Sequence, residues 1–134
     1  MHRRIIAALC FALTLAACGG APAAVTPAQV SQSLTAVGAT NIHDEVIEAD
    51  SPVPHSFTAH QAFEIPSVAP KGGHYFICDS KKNCDAIFAY YDALKALAGP
   101  YTYQSPSGTV VAQLNSGLTP DEAAKFEAAI KALP

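Results

Sequence analysis

The heptapeptide CDSKKNC, Cys78 to Cys84, constrains the fold of this chain more than any other stretch. It follows a β-prone run, His74-Tyr75-Phe76-Ile77, and opens a helical pattern. A bond between its two sulfurs would therefore staple the end of a strand to the first turn of the next helix. In an oxidising compartment two cysteines this close in sequence are expected to pair. The chain-entropy model assigns so short a loop roughly 2–2.5 kcal/mol. Thiol–disulfide chemistry is the alternative, because a cysteine at a helix N-terminus has a lowered pKa. Against it, the spacing is not C-x-x-C and no βαβ pattern surrounds the pair. Two thiolates alone do not make a metal site, and nothing nearby supplies two further ligands at zinc-like spacing.

The compartment is read from the N-terminus. His2, Arg3 and Arg4 precede an apolar run, Ile5 to Leu15, that ends on small residues before Cys18. This is the order of a secretory signal, and the run is far shorter than the roughly 20 residues that span a bilayer. Leu15-Ala16-Ala17-Cys18 resembles the lipobox of bacterial lipoproteins. The resemblance covers the signal alone. It implies that residues 1–17 are a signal peptide, that Cys18 is lipidated and becomes the first residue of the mature chain, and that the membrane is a partner through that anchor. The alternative is an ordinary cleaved signal with Cys18 left as a free thiol. One acyl chain binds a membrane marginally, on the order of 10⁴ M⁻¹, whereas the two or three chains of a lipoprotein cysteine hold firmly. The twin arginines lack the rest of a twin-arginine motif, so general secretion is expected. Gly19 in place of Asp is permissive for the outer membrane of a Gram-negative cell. The expected location is the cell envelope outside the cytoplasm, at the outer membrane or cell surface.

Residues 18–25 read as the lipidated cysteine and a flexible spacer of small residues, and 26–134 as a single domain with one core. Without Arg3 and Arg4 the chain carries six lysines against eleven acids. That balance argues against nucleic acid as a partner and against an electrostatic grip on anionic lipid.

Two helices announce themselves by the same device. Thr26-Pro27-Ala28-Gln29 and Thr119-Pro120-Asp121-Glu122 each offer a Thr N-cap, Pro at the first helical position and a capping-box partner at the third. Val30, Leu34 and Val37 mark the buried stripe of the first, and Ala123, Phe126, Ile130 and Leu133 that of the last. A middle helix is expected from about Asn83 to Ala98, with Cys84, Ile87, Phe88, Tyr91, Leu94 and Ala98 on its core face and Gly99-Pro100 as its stop. SFTAHQAFEI alternates, with Phe57, Ala59, Phe63 and Ile65 on a core face and Thr58, His60 and Glu64 on a wetter one. Ile42 to Ile47 is a weaker strand, and YTYQS-PSG-TVVAQLN reads as a hairpin. The order α-β-β-β-α-β-β-α gives an α+β two-layer sandwich: a mainly antiparallel sheet of about four to five strands, with three helices on one side.

No nucleophile motif, paired carboxylate or metal cage stands out, so no cofactor, metal or catalytic residue is expected. His43, His55, His60 and His74 lie on separate strands and loops beside Asp44 and Glu45; they read as scattered surface histidines, the alternative being that they converge on one metal or catalytic site. Lys81, Lys82 and Lys95 read as a solvated helix face. Tyr90, Tyr101 and Tyr103 are the candidate binding patch, since tyrosines are enriched in recognition surfaces. The functional expectation is a membrane-tethered extracytoplasmic binding or interaction module for a protein, peptide or small molecule. One alternative is an envelope hydrolase or thiol oxidoreductase, with His60 or His74 near Cys84 or one of the acids. Another is a structural or assembly lipoprotein, joined through a sheet edge at Thr109 to Asn115.

Overall fold

The computed structural model describes residues 23–134; the signal region and the lipobox Cys18 lie outside the described residues. The elements are α1 Pro27–Ala36, β1 Thr40–Asp44, β2 Ala59–Glu64, a 3₁₀ turn at Pro66–Val68, β3 Gly72–Ile77, α2 Lys81–Ala93, α3 Lys95–Ala98, β4 Tyr101–Gln104, β5 Val110–Leu114 and α4 Pro120–Lys131. The strands form one five-stranded sheet in the order β1-β2-β3-β5-β4, antiparallel throughout. This is the α+β fold expected.

Local chemistry explains the helices. Thr26 and Thr119 cap α1 and α4, each accepting from the backbone of Gln29 or Glu122 and receiving that residue's side chain in return. Ser80 accepts from the Asn83 N–H and starts α2 two residues before the expected boundary. The middle helix breaks at Leu94, and α3 ends on Gly99, whose φ of 130° only glycine adopts freely.

The helices divide between the two faces of the sheet. Phe63, Tyr75, Ile77, Val110, Ala112 and Leu114 point one way and pack with Val30 and Leu34 of α1 and Phe126 and Ile130 of α4. Phe76 and Val111 point the other way, against Cys84, Ile87 and Tyr91 of α2. The expectation of helices on one side is corrected here. All of β5 and most of β3 are buried, and strands buried on both faces need cover on both. For the same reason β5 does not form an edge. The expected assembly edge at Thr109 to Asn115 is interior, between β3 and β4, and the edges are β1 and β4.

On its own face α2 lies over β4 and β5. The β2 side of that face is left to the segment from Glu45 to Thr58, which packs Ile47, Val53 and Phe57 onto the α2 cluster. Phe57 thus leaves the face assigned to it, because β2 begins only at Ala59. Tyr75, wholly buried under α1, has its hydroxyl bonded to the Pro27 carbonyl at 3.1 Å and in contact with Ser31 and Gln61, so its polar end is satisfied.

Cys78 and Cys84 are disulfide-bonded, with Cα atoms 5.6 Å apart, and both are buried. Replacing the pair by alanine should lower stability by about 2–2.5 kcal/mol, read as a fall in the urea midpoint. Alkylation and intact-mass measurement of the native chain should find both thiols blocked until reductant is added. At the start of α4, hydrogen bonds from Ser67 and from the Thr119 backbone and hydroxyl hold Glu122 at about 2. A carboxyl depressed in the folded state stabilises it above the unfolded value and loses that contribution as pH falls through the folded one. Glu122→Gln should therefore flatten the pH dependence of stability between 4.5 and about 2 relative to wild type. Urea melts across that range provide the comparison.

Candidate functional site

Two imidazoles and a carboxylate meet on the β2 side of the α2 face. Pairing of β2 with β3 sets His60 opposite Phe76 and Ala62 opposite His74. His60 and His74 are therefore diagonal neighbours on one face, with ring centroids 5.2 Å apart. Glu45 arrives from just beyond β1, where its N–H continues the ladder to the His60 carbonyl at 3.3 Å. Its Oε2 lies 3.5 Å from His60 Nε2 and 3.8 Å from His74 Nδ1.

The environments of the three differ. His60 is 6% exposed and stacks on Phe76 at 4.4 Å with the rings 8° from parallel. Its Nδ1 sits 2.9 Å from the Glu45 carbonyl oxygen. A carbonyl only accepts, so Nδ1 carries the proton and Nε2 presents its lone pair to His74 Nδ1, 3.2 Å away. Burial, aided by the neighbouring His74 imidazole, pushes the His60 pKa down, consistent with a neutral ring. His74 is half-buried, edge-to-face with Phe76 at 5.1 Å and Tyr91 at 4.9 Å. Its Nε2 is buried with no hydrogen-bond partner. The Glu45 side chain is 47% exposed, and its carboxyl titrates below its ordinary value, chiefly through His74, with smaller help from His60 and His43 against partial burial. Burial raises the Tyr91 hydroxyl well above the ordinary tyrosine value, with lesser contributions from Tyr90 and Glu45.

Two clefts meet at this cluster. One of ≈ 430 Å³ is lined by His43, Glu45, Ala62, Gly72 and His74 among others. The other, of ≈ 250 Å³, runs from Glu45, His60 and His74 past Val46 and Ile47 to Tyr91. Glu45 and His74 line both. Among the described residues, these are the side chains placed to hold a metal ion together.

Of the histidines read as scattered surface, His60 and His74 converge, a correction forced by the β2–β3 register. His43 stays exposed, its Nδ1 2.7 Å from the Asn41 carbonyl, and His55 lies against Phe57. Asp44 turns to the opposite face and accepts from Gln61 at 2.7 Å. The tyrosines do not form one patch. Tyr90 packs against the α2 cluster, whereas Tyr101 and Tyr103 sit on edge strand β4, stacked at 6.4 Å and packed against the cluster under α1 and α4. Burial raises Tyr103 to about 12, with Glu127 and Tyr101 adding to the shift. Lys81 pairs with Asp85 at 2.7 Å and Lys95 with Asp92 at 3.7 Å, both exposed.

The chain matches no protein-family model, no curated protein and no solved structure. The site is therefore read from its own chemistry. The bond to the Glu45 carbonyl fixes one tautomer, so in long-range ¹H–¹⁵N spectra at neutral pH His60 should appear as the Nδ1–H form. The Nε2–H form would contradict the geometry.

Proposed function

We propose that this chain is a membrane-tethered extracytoplasmic module that binds a small polar ligand at the cluster of Glu45, His60 and His74. One observation carries the reading. Three polar side chains from three separate segments converge where two clefts meet, on a part of the sheet that α2 leaves uncovered. Such a concave site with a few convergent polar groups is the usual form of a small-ligand site.

The tether is supported by the signal pattern and by Leu15-Ala16-Ala17-Cys18. The layout of the domain suits it. Ala23 to Val25 reach the sheet beside Ile77, Cys78 and Thr109, at one end of β3, while the larger cleft opens beside Gly72 and Gly73 at the other. A chain anchored upstream of Ala23 would hold that cleft at the end of the sheet away from its attachment. Charge agrees: six lysines against eleven acids give the domain no electrostatic reason to lie on an anionic surface.

Within the enzyme alternative, the geometry separates two chemistries. Thiol exchange is disfavoured, because Cys84 is wholly buried and Cys78 nearly so, which denies a partner thiolate its approach. A hydrolytic role keeps one supporting observation, since His60 and His74 meet a carboxylate. That arrangement places no nucleophilic side chain beside the imidazoles, so binding is the reading adopted.

The test uses the full chain released from its own membranes in mild detergent. Labelled palmitate should enter wild type and not Cys18→Ser. Native mass spectrometry should show a small non-covalent adduct on wild type that Glu45→Ala and His60→Ala lose while remaining folded. An unlabelled wild-type chain refutes the tether. A wild-type chain without any adduct, or one whose adduct survives both variants, refutes the binding face.

A further inference from the structure

The three converging atoms of the cluster define what they can share. His60 Nε2 bears a lone pair because Nδ1 is committed to a carbonyl 2.9 Å away. Glu45 Oε2 belongs to a carboxylate whose side chain is half-exposed. His74 Nδ1 is the third corner, 3.2 Å from one and 3.8 Å from the other. With 3.5 Å between His60 Nε2 and Glu45 Oε2, the triangle is closed. Electron-rich atoms so disposed repel unless a cation, either a proton or a metal ion, lies among them.

The far side of His74 bears on which of the two it is. If a proton joins two neutral rings, His74 is the Nδ1–H tautomer and its Nε2 lone pair is buried without a partner. With the proton on Nε2 instead, the Nδ1 lone pair faces His60 Nε2 and the carboxylate, an arrangement that a metal ion suits. A doubly protonated His74 is the alternative, and metal uptake separates the two.

Distance and ligand type name the ion. Zinc bonds of 2.0–2.1 Å at tetrahedral angles put neighbouring ligand atoms about 3.3 Å apart. The edges here are 3.2, 3.5 and 3.8 Å. Two imidazoles beside one carboxylate disfavour calcium and magnesium, which prefer oxygen, and suit a borderline transition ion. The carbonyl bond at His60 Nδ1 is the outer-sphere contact that orients a ligating imidazole. The half-exposed carboxylate and the two clefts supply a way in and room for a fourth ligand.

We infer that Glu45, His60 and His74 form a mononuclear site for a divalent first-row transition ion of zinc type, ligated by Glu45 Oε2, His60 Nε2 and His74 Nδ1, with one coordination position open to the clefts. The inference rests on the reading of this face as the ligand-binding one and names the ligand's chemistry.

The experiment takes the full chain in detergent, stripped with chelator, and adds zinc(II) or cobalt(II). One zinc per chain is expected, and cobalt should give the intense visible absorption of a four-coordinate ion. Glu45→Gln, which leaves the buried stack untouched, should weaken zinc binding about tenfold or more, the loss that even outer-sphere partners cause. His74→Gln should weaken it at least as much, and His55→Ala should leave it unchanged. Failure to take up zinc, a faint six-coordinate cobalt spectrum, or affinity indifferent to both Glu45→Gln and His74→Gln would each overturn the inference. A chain that takes no ion yet carries an organic adduct dependent on Glu45 overturns the metal and leaves the binding reading standing. Loss of both ion and adduct overturns the two together.

Discussion

The register of β2 against β3 is the constraint on which the rest of this structure depends. With Phe63 opposite Gly73 and His60 opposite Phe76, Phe63, Tyr75 and Ile77 go to the core under α1 and α4, and His60, His74 and Phe76 to the face of α2. A slip of one residue between the strands would exchange these sets for one of them. It would drive an imidazole into an apolar core, or lift Tyr75 from the hydroxyl network it makes with Pro27, Ser31 and Gln61. Glycine pins the register at the turn. A Cβ on Gly73 would collide with the Gln113 carbonyl and one on Gly72 with the Phe63 carbonyl, so the pair admits only a strand with two bare positions at this end. The turn is closed by Ile65 N–H donating to the Lys71 carbonyl at 3.0 Å.

The disulfide extends this order across the sheet. It joins the end of β3 to the first turn of α2, and Cys84, Ile87 and Tyr91 follow at helical spacing down the buried side of that helix. Tyr91 is thus set two turns from a covalent fixed point, which is how it comes to lie 4.9 Å from His74. A bond far from the site in contact terms builds one wall of it. The opposite wall is irregular: the Glu45 to Thr58 segment contains no strand or helix and is held by Ile47, Val53 and Phe57. The carboxylate therefore comes from a loop and the imidazoles from paired strands.

Elements whose signals are local were legible in the sequence. The capping boxes at Thr26 and Thr119, the Gly99 stop and the Cys78–Cys84 pairing depend on residues a few positions apart, and each stands where its chemistry puts it. What depends on tertiary pairing was not legible. TVVAQLN looks like any hairpin strand until β3 lies beside it, and only then does its full burial demand α2 on the second face. Tyr90 and Tyr101 share a neighbourhood in sequence, yet nothing local tells that a helix and an edge strand lie on opposite faces. The histidines are the instructive case. The odd-numbered core positions of β2, from Ala59 to Ile65, place His60 on the other face. A hairpin through residues 65–71 that pairs Phe63 with an odd position of β3 would place His74 there too. The signal was present in the parity, but using it required the register.

The cluster also breaks a rule that most of the domain keeps. A phenylalanine at position 60 would keep a ring on Phe76 but remove the hydrogen bond to the Glu45 carbonyl, whereas an apolar residue at 74 would remove the one buried nitrogen there without a partner. The change at 74 favours folding, since a buried polar group without a hydrogen bond costs about 1–3 kcal/mol. Sequences that are locally consistent elsewhere tend to depart from consistency at functional sites. Thr102 Oγ1 on β4 is buried without a partner as well, but the departure at His74 coincides with the meeting of two clefts and an exposed carboxylate. Burial, stacking and the carbonyl contact all hold His60 in one orientation before any ligand arrives. Preorganisation of that kind lowers the entropy lost on binding, which is what the proposed ligand site would draw on.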